Sequence, residues 1–128
     1  MRILLDTHVA LWALIDSPRL SDVARALILD SSNELFFSAA SVWEIAIKHS
    51  LSRKNMPVSG EESVVLFREA GFTELPVTSL HASATETLPI HHNDPFDRLL
   101  VAQSIMEPLR LLTHDRILCR YGNTVQFV

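Results

Sequence analysis

His91-His92-Asn93-Asp94-Pro95-Phe96-Asp97-Arg98-Leu99-Leu100-Val101-Ala102-Gln103 is the stretch from which the rest of the chain can be read. It starts polar and acidic and passes without punctuation into an apolar, helix-forming run. Asp94 before Pro95 is a strong helix start. A short side-chain acceptor caps free backbone N–H groups, and proline at the first helical position gives up a donor that would have no partner there. Asp97 then falls in the first turn, near the positive end of the helix dipole. On local grounds alone, both aspartates stabilise a helix terminus.

Outward from this helix, which runs to about Met106 before Pro108, the chain alternates between strands and helices. On the C-terminal side, Arg110-Leu111-Leu112-Thr113 reads as a strand and His114-Asp115 as a turn. Ile117 to Tyr121 is a short helical piece, and Thr124 to Val128 a last strand with clear alternation. On the N-terminal side, Thr78 or Ser79 caps a helix from Leu80 to Thr87, and Phe72 to Val77 is an edge strand, because Pro76 cannot donate within a central ladder. Glu61 to Ala70 is a helix ended by Gly71, and Leu51 to Gly60 is a long loop. Further back lie a helix from Ala40 to about His49 and a strand at Glu34 to Ser38. Before them come a helix capped by Ser21, with Val23, Ala24, Leu27 and Ile28 as its buried stripe, a helix at Thr7 to Ile15 and a strand at Arg2 to Leu5. This rhythm predicts one α/β domain over residues 1–128, a three-layer α/β/α sandwich around a mainly parallel sheet.

Composition agrees. In 128 residues, 48% are hydrophobic and only three are glycine, which favours a compact, element-rich fold over disorder. The formal charge of −4 has the wrong sign for a nucleic-acid binder built on one continuous basic face. It is compatible with an enzyme whose clustered acids hold metal ions. Cys119 is the single cysteine, so neither an intramolecular disulfide nor a cysteine zinc site is available, and a reducing cytoplasm is expected. Asp6 comes too early for a secretory signal, and no apolar run approaches the ~20 residues of a membrane span.

In open parallel sheets, ligands bind outside the carboxyl ends of the strands. Asp6 directly follows the first strand, Asp115 follows Leu111-Leu112 by two residues past Leu112's neighbour Thr113, Glu44 lies on the helix after Phe36-Phe37, and Asp97 opens the central helix. All four can reach one rim. Each also has a local explanation: Asp6 as a helix cap, Glu44 as an i, i+4 partner of Lys48, Asp115 as an Asx-turn residue. Those local roles do not predict a shared location. Converging carboxylates repel unless a cation compensates, and Mg²⁺ or Mn²⁺ suits hard oxygen ligands without cysteine. The chemistry implied is hydrolysis of a phosphodiester by a metal-activated water. Thr7 and Thr113, each beside an acid, can orient a carboxylate or cap a turn. There is no G-x-x-x-x-G-K-[ST] loop, G-x-G-x-x-G turn or G-x-S-x-G elbow. His91-His92 is set aside as a metal pair, because helical histidine ligands need i, i+3 or i, i+4 spacing.

Leu4-Leu5-Asp6-Thr7-His8, Ser41-Val42-Trp43-Glu44-Ile45-Ala46-Ile47-Lys48, Asp94 to Gln103 and Leu112-Thr113-His114-Asp115, taken together and in this order, resemble PIN-domain proteins. Specifically, they resemble the VapC-type toxin ribonucleases of prokaryotic toxin–antitoxin pairs. The resemblance implies a Mg²⁺- or Mn²⁺-dependent endoribonuclease with Asp6, Glu44, Asp97 and Asp115 as the metal-binding quartet and Asp94 as an auxiliary ligand or only a cap. It also implies a homodimer and a small antitoxin partner. For the RNA, the basic cluster Lys48, Arg53 and Lys54, with Arg98 and Arg116 beside quartet acids, is the candidate phosphate-contacting set. A solvated helix end is the alternative for the cluster. The rival readings are another metal-dependent phosphoryl-transfer enzyme, or a non-catalytic interaction module on the same fold. The module would tolerate gaps in the quartet, and this chain has none.

Overall fold

A computed structural model describes residues 1–51 and 56–128. Among these residues five parallel strands form one sheet in the order β3-β2-β1-β4-β5, where β1 is Arg2–Leu5, β2 Glu34–Ser38, β3 Thr73–Leu75, β4 Arg110–Thr113 and β5 Val125–Phe127. The chain works outward from β1 through β2 to β3, then returns to lay β4 on the other side of β1. The order therefore reverses between β1 and β4. That is where an open parallel sheet leaves a crevice at its carboxyl edge.

The three strands nearest the centre show how short apolar runs build three layers. Successive strand side chains point to opposite faces. Ile3 and Leu5, Phe37 and Leu112 enter one core, while Leu4, Phe36 and Leu111 enter the other. The first core lies under the helices α1 (Thr7–Leu14), α2 (Asp22–Leu29) and α4 (Gly60–Glu69), represented by Val9, Ala24 and Phe67. The second lies under α6 (Pro95–Met106) and the 3₁₀ segment Arg116–Tyr121, through Leu100, Val101 and Leu118. This is the expected three-layer α/β/α sandwich. Between them, α3 (Ala39–Leu51) follows β2, and α5 (Ser79–Ala84) precedes α6. No helix among the described residues is long and apolar enough to cross a membrane.

Gln103, at the end of the opening stretch, ties α6 to the sheet. Its Oε1 accepts from the Ser38 hydroxyl at 2.6 Å, and its Nε2 donates to the Pro76 carbonyl at 3.2 Å. Ser38 Oγ also accepts from Ala40 N at the start of α3. The buried amide therefore joins the ends of β2 and β3 to α6, with all of its polar reach satisfied.

Several boundaries differ from the expectation for local reasons. The helix expected at Leu80–Thr87 is α5 followed by a 3₁₀ turn at Thr85–Thr87. There the Thr85 and Thr87 hydroxyls bond back to the carbonyls of Ala82 and Ala84 and tighten the turn. Val23 is 56% exposed, because it lies roughly 90° round the helix from the centre of the Ala24, Leu27, Ile28 stripe. The edge strand contracts to Thr73–Leu75 and the last strand to Val125–Phe127. Of the long loop expected between Leu51 and Gly60, Arg53 and Lys54 lie outside the described residues.

Gly60 opens α4 against α3. A Cβ placed there would sit 2.8 Å from Ala46 Cβ, so only glycine permits this approach. Gly60→Ala is expected to lower stability by about 1–3 kcal/mol through overpacking, read as a lower urea midpoint with unchanged slope.

Candidate active site

Asp6, Asp94 and Asp115 each cap the helical segment that follows them, Asp97 sits in the first turn of α6, and Glu44 comes from within α3. Asp6 ends β1 and caps α1: its Oδ1 accepts from Val9 N at 2.8 Å, and its own N–H donates to the Leu112 carbonyl at 3.0 Å, locking it to the end of β4. Asp94 caps α6 as the sequence predicts, with Oδ1 accepting from Phe96 N and Asp97 N at 2.8 and 3.1 Å, and Pro95 in the first turn. Asp115 caps the 3₁₀ segment, with Oδ1 accepting from Ile117 N at 3.0 Å. Its N–H donates to Thr113 Oγ1 at 3.0 Å.

Glu44 arrives from α3 and is only 3% exposed. The Thr7 hydroxyl donates to its Oε1 and also contacts Ser41 Oγ, each at 2.8 Å, while Lys48 Nζ meets Oε2 at 2.5 Å. Thr7 thus orients a carboxylate, as one of its two expected roles had it. The i, i+4 pair that supplied the local explanation for Glu44 is present as well.

Asp97 carries the electrostatic signature of the rim. A carboxylate in the first turn of a helix would ordinarily be stabilised by the dipole. Instead its carboxyl is pushed up to about 7, by burial first and then by the charges of Asp94, Asp6 and Glu44, with His92 acting against them. Burial also raises Asp6, opposed by the Thr113 hydroxyl, the Val9 N–H, His8 and the His114 N–H. Like charges gathered away from water are what lift a carboxyl in this way. Asp97 and Asp115 each place an oxygen within 4.8 Å of the other and of a ring nitrogen of His92. His92 Nε2 lies 2.8 Å from Asp115 Oδ2 and 3.5 Å from Asp97 Oδ2. The donor set is dominated by carboxylate oxygen and holds excess negative charge, which fits Mg²⁺ or Mn²⁺.

A cleft of about 360 Å³ opens beside these acids, lined by Asp6, Asp97 and Asp115 together with His8, Trp12, His114 and Arg19. Trp12 stands edge-on to His114 with ring centres 5.1 Å apart, and His8 lies 6.0 Å from Trp12.

The cations expected to meet phosphate are placed differently. Lys48 is paired with Glu44. Arg98 turns away from the cleft and donates to the carbonyls of Thr85, Leu88, Pro89 and His92 and to the Tyr121 hydroxyl. Arg116 lies over the Phe127 ring, 4.1 Å from its centre. Arg19, which the sequence does not single out, is the arginine that lines the cleft among the described residues. His92 was likewise set aside and stands among the acids. Adjacency to His91 does not prevent this, because only one of two adjacent residues needs to point inward. The spacing rule applied to two helical ligands, and neither histidine is in a helix.

The chain belongs to the PIN-domain family, whose sequence profile matches residues 3–123. Among curated relatives it is similar to Ribonuclease VapC22 of Mycobacterium tuberculosis (strain ATCC 25618 / H37Rv), with 31% identity over 114 residues covering 89% of this chain and 87% of the relative. Two solved structures share the fold. One is the crystal structure of VapBC2 from Rickettsia felis bound to a DNA fragment from their promoter. A chain in it gives a TM-score of 0.72 at 16% identity, over 100% of this chain and 99% of that one. The other is the crystal structure of FitAcB from Neisseria gonorrhoeae, with a TM-score of 0.58 at 19% identity over 98% of this chain and 95% of that one.

Proposed function

We propose that this protein is a Mg²⁺- or Mn²⁺-dependent endoribonuclease, the toxin of a toxin–antitoxin pair, folded as one PIN domain over residues 1–128. Asp6, Glu44, Asp97 and Asp115 hold the metal. The observation that carries this reading is the gathering of acids at the rim: half-buried Asp97 lies within 4.8 Å of Asp115 and His92 ligand atoms, and burial with the charges of Asp94, Asp6 and Glu44 raises its carboxyl to about 7. A site kept for structure alone would pair or disperse that charge, whereas a divalent ion compensates it. The similarity to Ribonuclease VapC22 supports RNA as the substrate.

When bound, the ion supplies positive charge to the non-bridging and leaving oxygens of the phosphodiester and makes a water more acidic. The chain does the rest. Asp6, anchored by Val9 N and by β4, and Asp115, which follows β4 and is held by Ile117 N, both line the crevice. Thr7 and Lys48 keep Glu44 in one orientation. Asp94, occupied by two amides of its own helix, acts as a cap that adds charge near Asp97. In the same cleft, Trp12 and His8 offer aromatic rings to a base, and Arg19 offers a charge to a phosphate. That pairing suits single-stranded RNA. The protein acts in the cytoplasm as a homodimer, restrained by a cognate antitoxin.

The test is cleavage of labelled structured RNAs by antitoxin-free protein with Mg²⁺, with Mn²⁺ and with chelator. Metal-dependent cutting at discrete sites is expected, and absence of cutting in every condition would overturn the reading. Arg19→Ala is expected to weaken RNA binding about tenfold and to reduce the salt slope by about one. An unchanged slope would remove Arg19 from the RNA path.

A further inference from the structure

His92 is not one of the acids, yet it is where two of them meet, and both of its ring nitrogens face fixed partners. Nδ1 lies 3.0 Å from the backbone N–H of Asp94. An amide can only donate, so the Nδ1 lone pair is occupied and the ring hydrogen sits on Nε2. Nε2 faces Asp115 Oδ2 at 2.8 Å and Asp97 Oδ2 at 3.5 Å, both acceptors. By spacing, His92, Asp97 and Asp115 form a group able to hold a metal ion. Ligation through Nε2, however, needs the hydrogen on Nδ1, where it would point at the Asp94 N–H. Moving it would break the contact at the residue that caps α6.

The backbone of His92 is held just as firmly. Tyr121 Oη accepts from the N–H groups of His91 and His92 at 3.3 and 3.0 Å. Arg98 donates to that same hydroxyl at 3.1 Å and to the His92 carbonyl at 3.4 Å, while its other bonds gather the carbonyls of Thr85, Leu88 and Pro89. The arginine expected at phosphate instead fixes the segment that presents the imidazole. Asp115 is thereby clamped between two donors, His92 Nε2 on Oδ2 and Ile117 N on Oδ1. A carboxylate has about four acceptor positions, so each oxygen keeps one free.

We infer that His92 is a positioning residue: a fixed Nε2–H donor that orients the Asp115 carboxylate, and more weakly Asp97, for the divalent ion while staying outside its coordination shell. The inference rests on the reading that Asp97 and Asp115 hold that ion. Hydrogen-bonded partners of ligating groups typically change metal affinity 10- to 100-fold when removed.

Two measurements test it. Imidazole ¹⁵N correlation spectra at mildly alkaline pH, with His92 assigned by its loss in His92→Gln, are expected to show hydrogen on Nε2 in metal-free protein and again with saturating Mg²⁺. Hydrogen on Nδ1 in either state overturns the inference. Calorimetry is expected to show Mg²⁺ binding weakened about 10- to 100-fold in His92→Ala and partly recovered in His92→Gln, whose amide can still donate to Asp115. Equal Mg²⁺ affinity in wild type and His92→Ala overturns it as well. If wild type binds no Mg²⁺, the metal reading fails and His92's role toward the ion fails with it. If Mg²⁺ binds but His92 carries its hydrogen on Nδ1, the metal reading stands and the inference alone falls. The hydrogen position is read on wild-type protein, and should His92→Gln fail to fold, through-bond correlation of the His92 ring to its own backbone makes the same assignment, so a misfolded variant does not weaken the test.

Discussion

In chelator, Asp97→Asn is expected to be more stable than the wild-type protein, and with Mg²⁺ it is expected to be inactive. The wild-type carboxyl is raised from 3.8 to about 7 by burial and by Asp94, Asp6 and Glu44. A shift of roughly three units at ~1.4 kcal/mol per unit sets a ceiling of about 4 kcal/mol on the cost of ionising Asp97 in the folded state. The side chain is 24% exposed, and water screens part of that cost, so about 2 kcal/mol is the expected gain. For a chain of this size that is a rise of roughly 6–10 °C in Tm. The amide keeps the shape and removes the charge. It also removes a carboxylate we propose to hold the metal, and cleavage is expected to fall at least ~100-fold. A variant less stable than wild type in chelator would show that the acids do not repel as the geometry requires.

The same electrostatics predict an unusual pH profile. A carboxyl raised on folding binds more protons in the native state than in the unfolded one, so stability falls as pH rises. The window runs from the unfolded value of 3.8 up to about 7, with a flat profile above it. Asp6, raised by burial, acts in the same direction. Asp30 acts in the opposite direction: the Ser32 hydroxyl and amide hold its carboxyl low, so its contribution is present above 3.8 and lost only as pH falls further. Urea midpoints of metal-free protein are therefore expected to decrease from about pH 5 to pH 7, and saturating Mg²⁺ is expected to abolish the decrease. Below pH 7, Mg²⁺ must displace the proton on Asp97. Its affinity should tighten with pH by up to tenfold per unit and then level off. A metal-free midpoint that rose across this range would contradict the clustering of Asp97 with Asp94, Asp6 and Glu44.

The fold was legible because its determinants are local. Leu4-Leu5, Phe36-Phe37 and Leu111-Leu112 are apolar pairs that can only be buried on both faces of a sheet, and Ser21, Thr78 and Asp94 cap the helices their positions announce. The placement of Asp6 and Asp115 was legible for a related reason, since strand ends in a parallel sheet share one edge. The cations were not. A lysine four residues from a glutamate, or an arginine beside an aspartate, has the same local pattern whether it meets phosphate, a carboxylate or a carbonyl. Arg98 finds four carbonyls because the chain from Thr85 to His92 wraps round it, with the Tyr121 hydroxyl as a fifth acceptor, and no spacing rule encodes a loop's path. His92 was hidden by the same limit, because its inward orientation depends on Tyr121, 29 residues away.

Asp6, Asp94 and Asp115 each cap a helical segment while standing at the rim. Replacing any of them with alanine therefore removes a folding signal along with a charge, and a fall in yield or solubility would pass for loss of function. Asparagine caps a helix about as well as aspartate. A panel of aspartate-to-asparagine variants thus separates the two effects at all three positions. Any scoring of this protein by survival or abundance should weigh alanine and asparagine at these sites as different experiments.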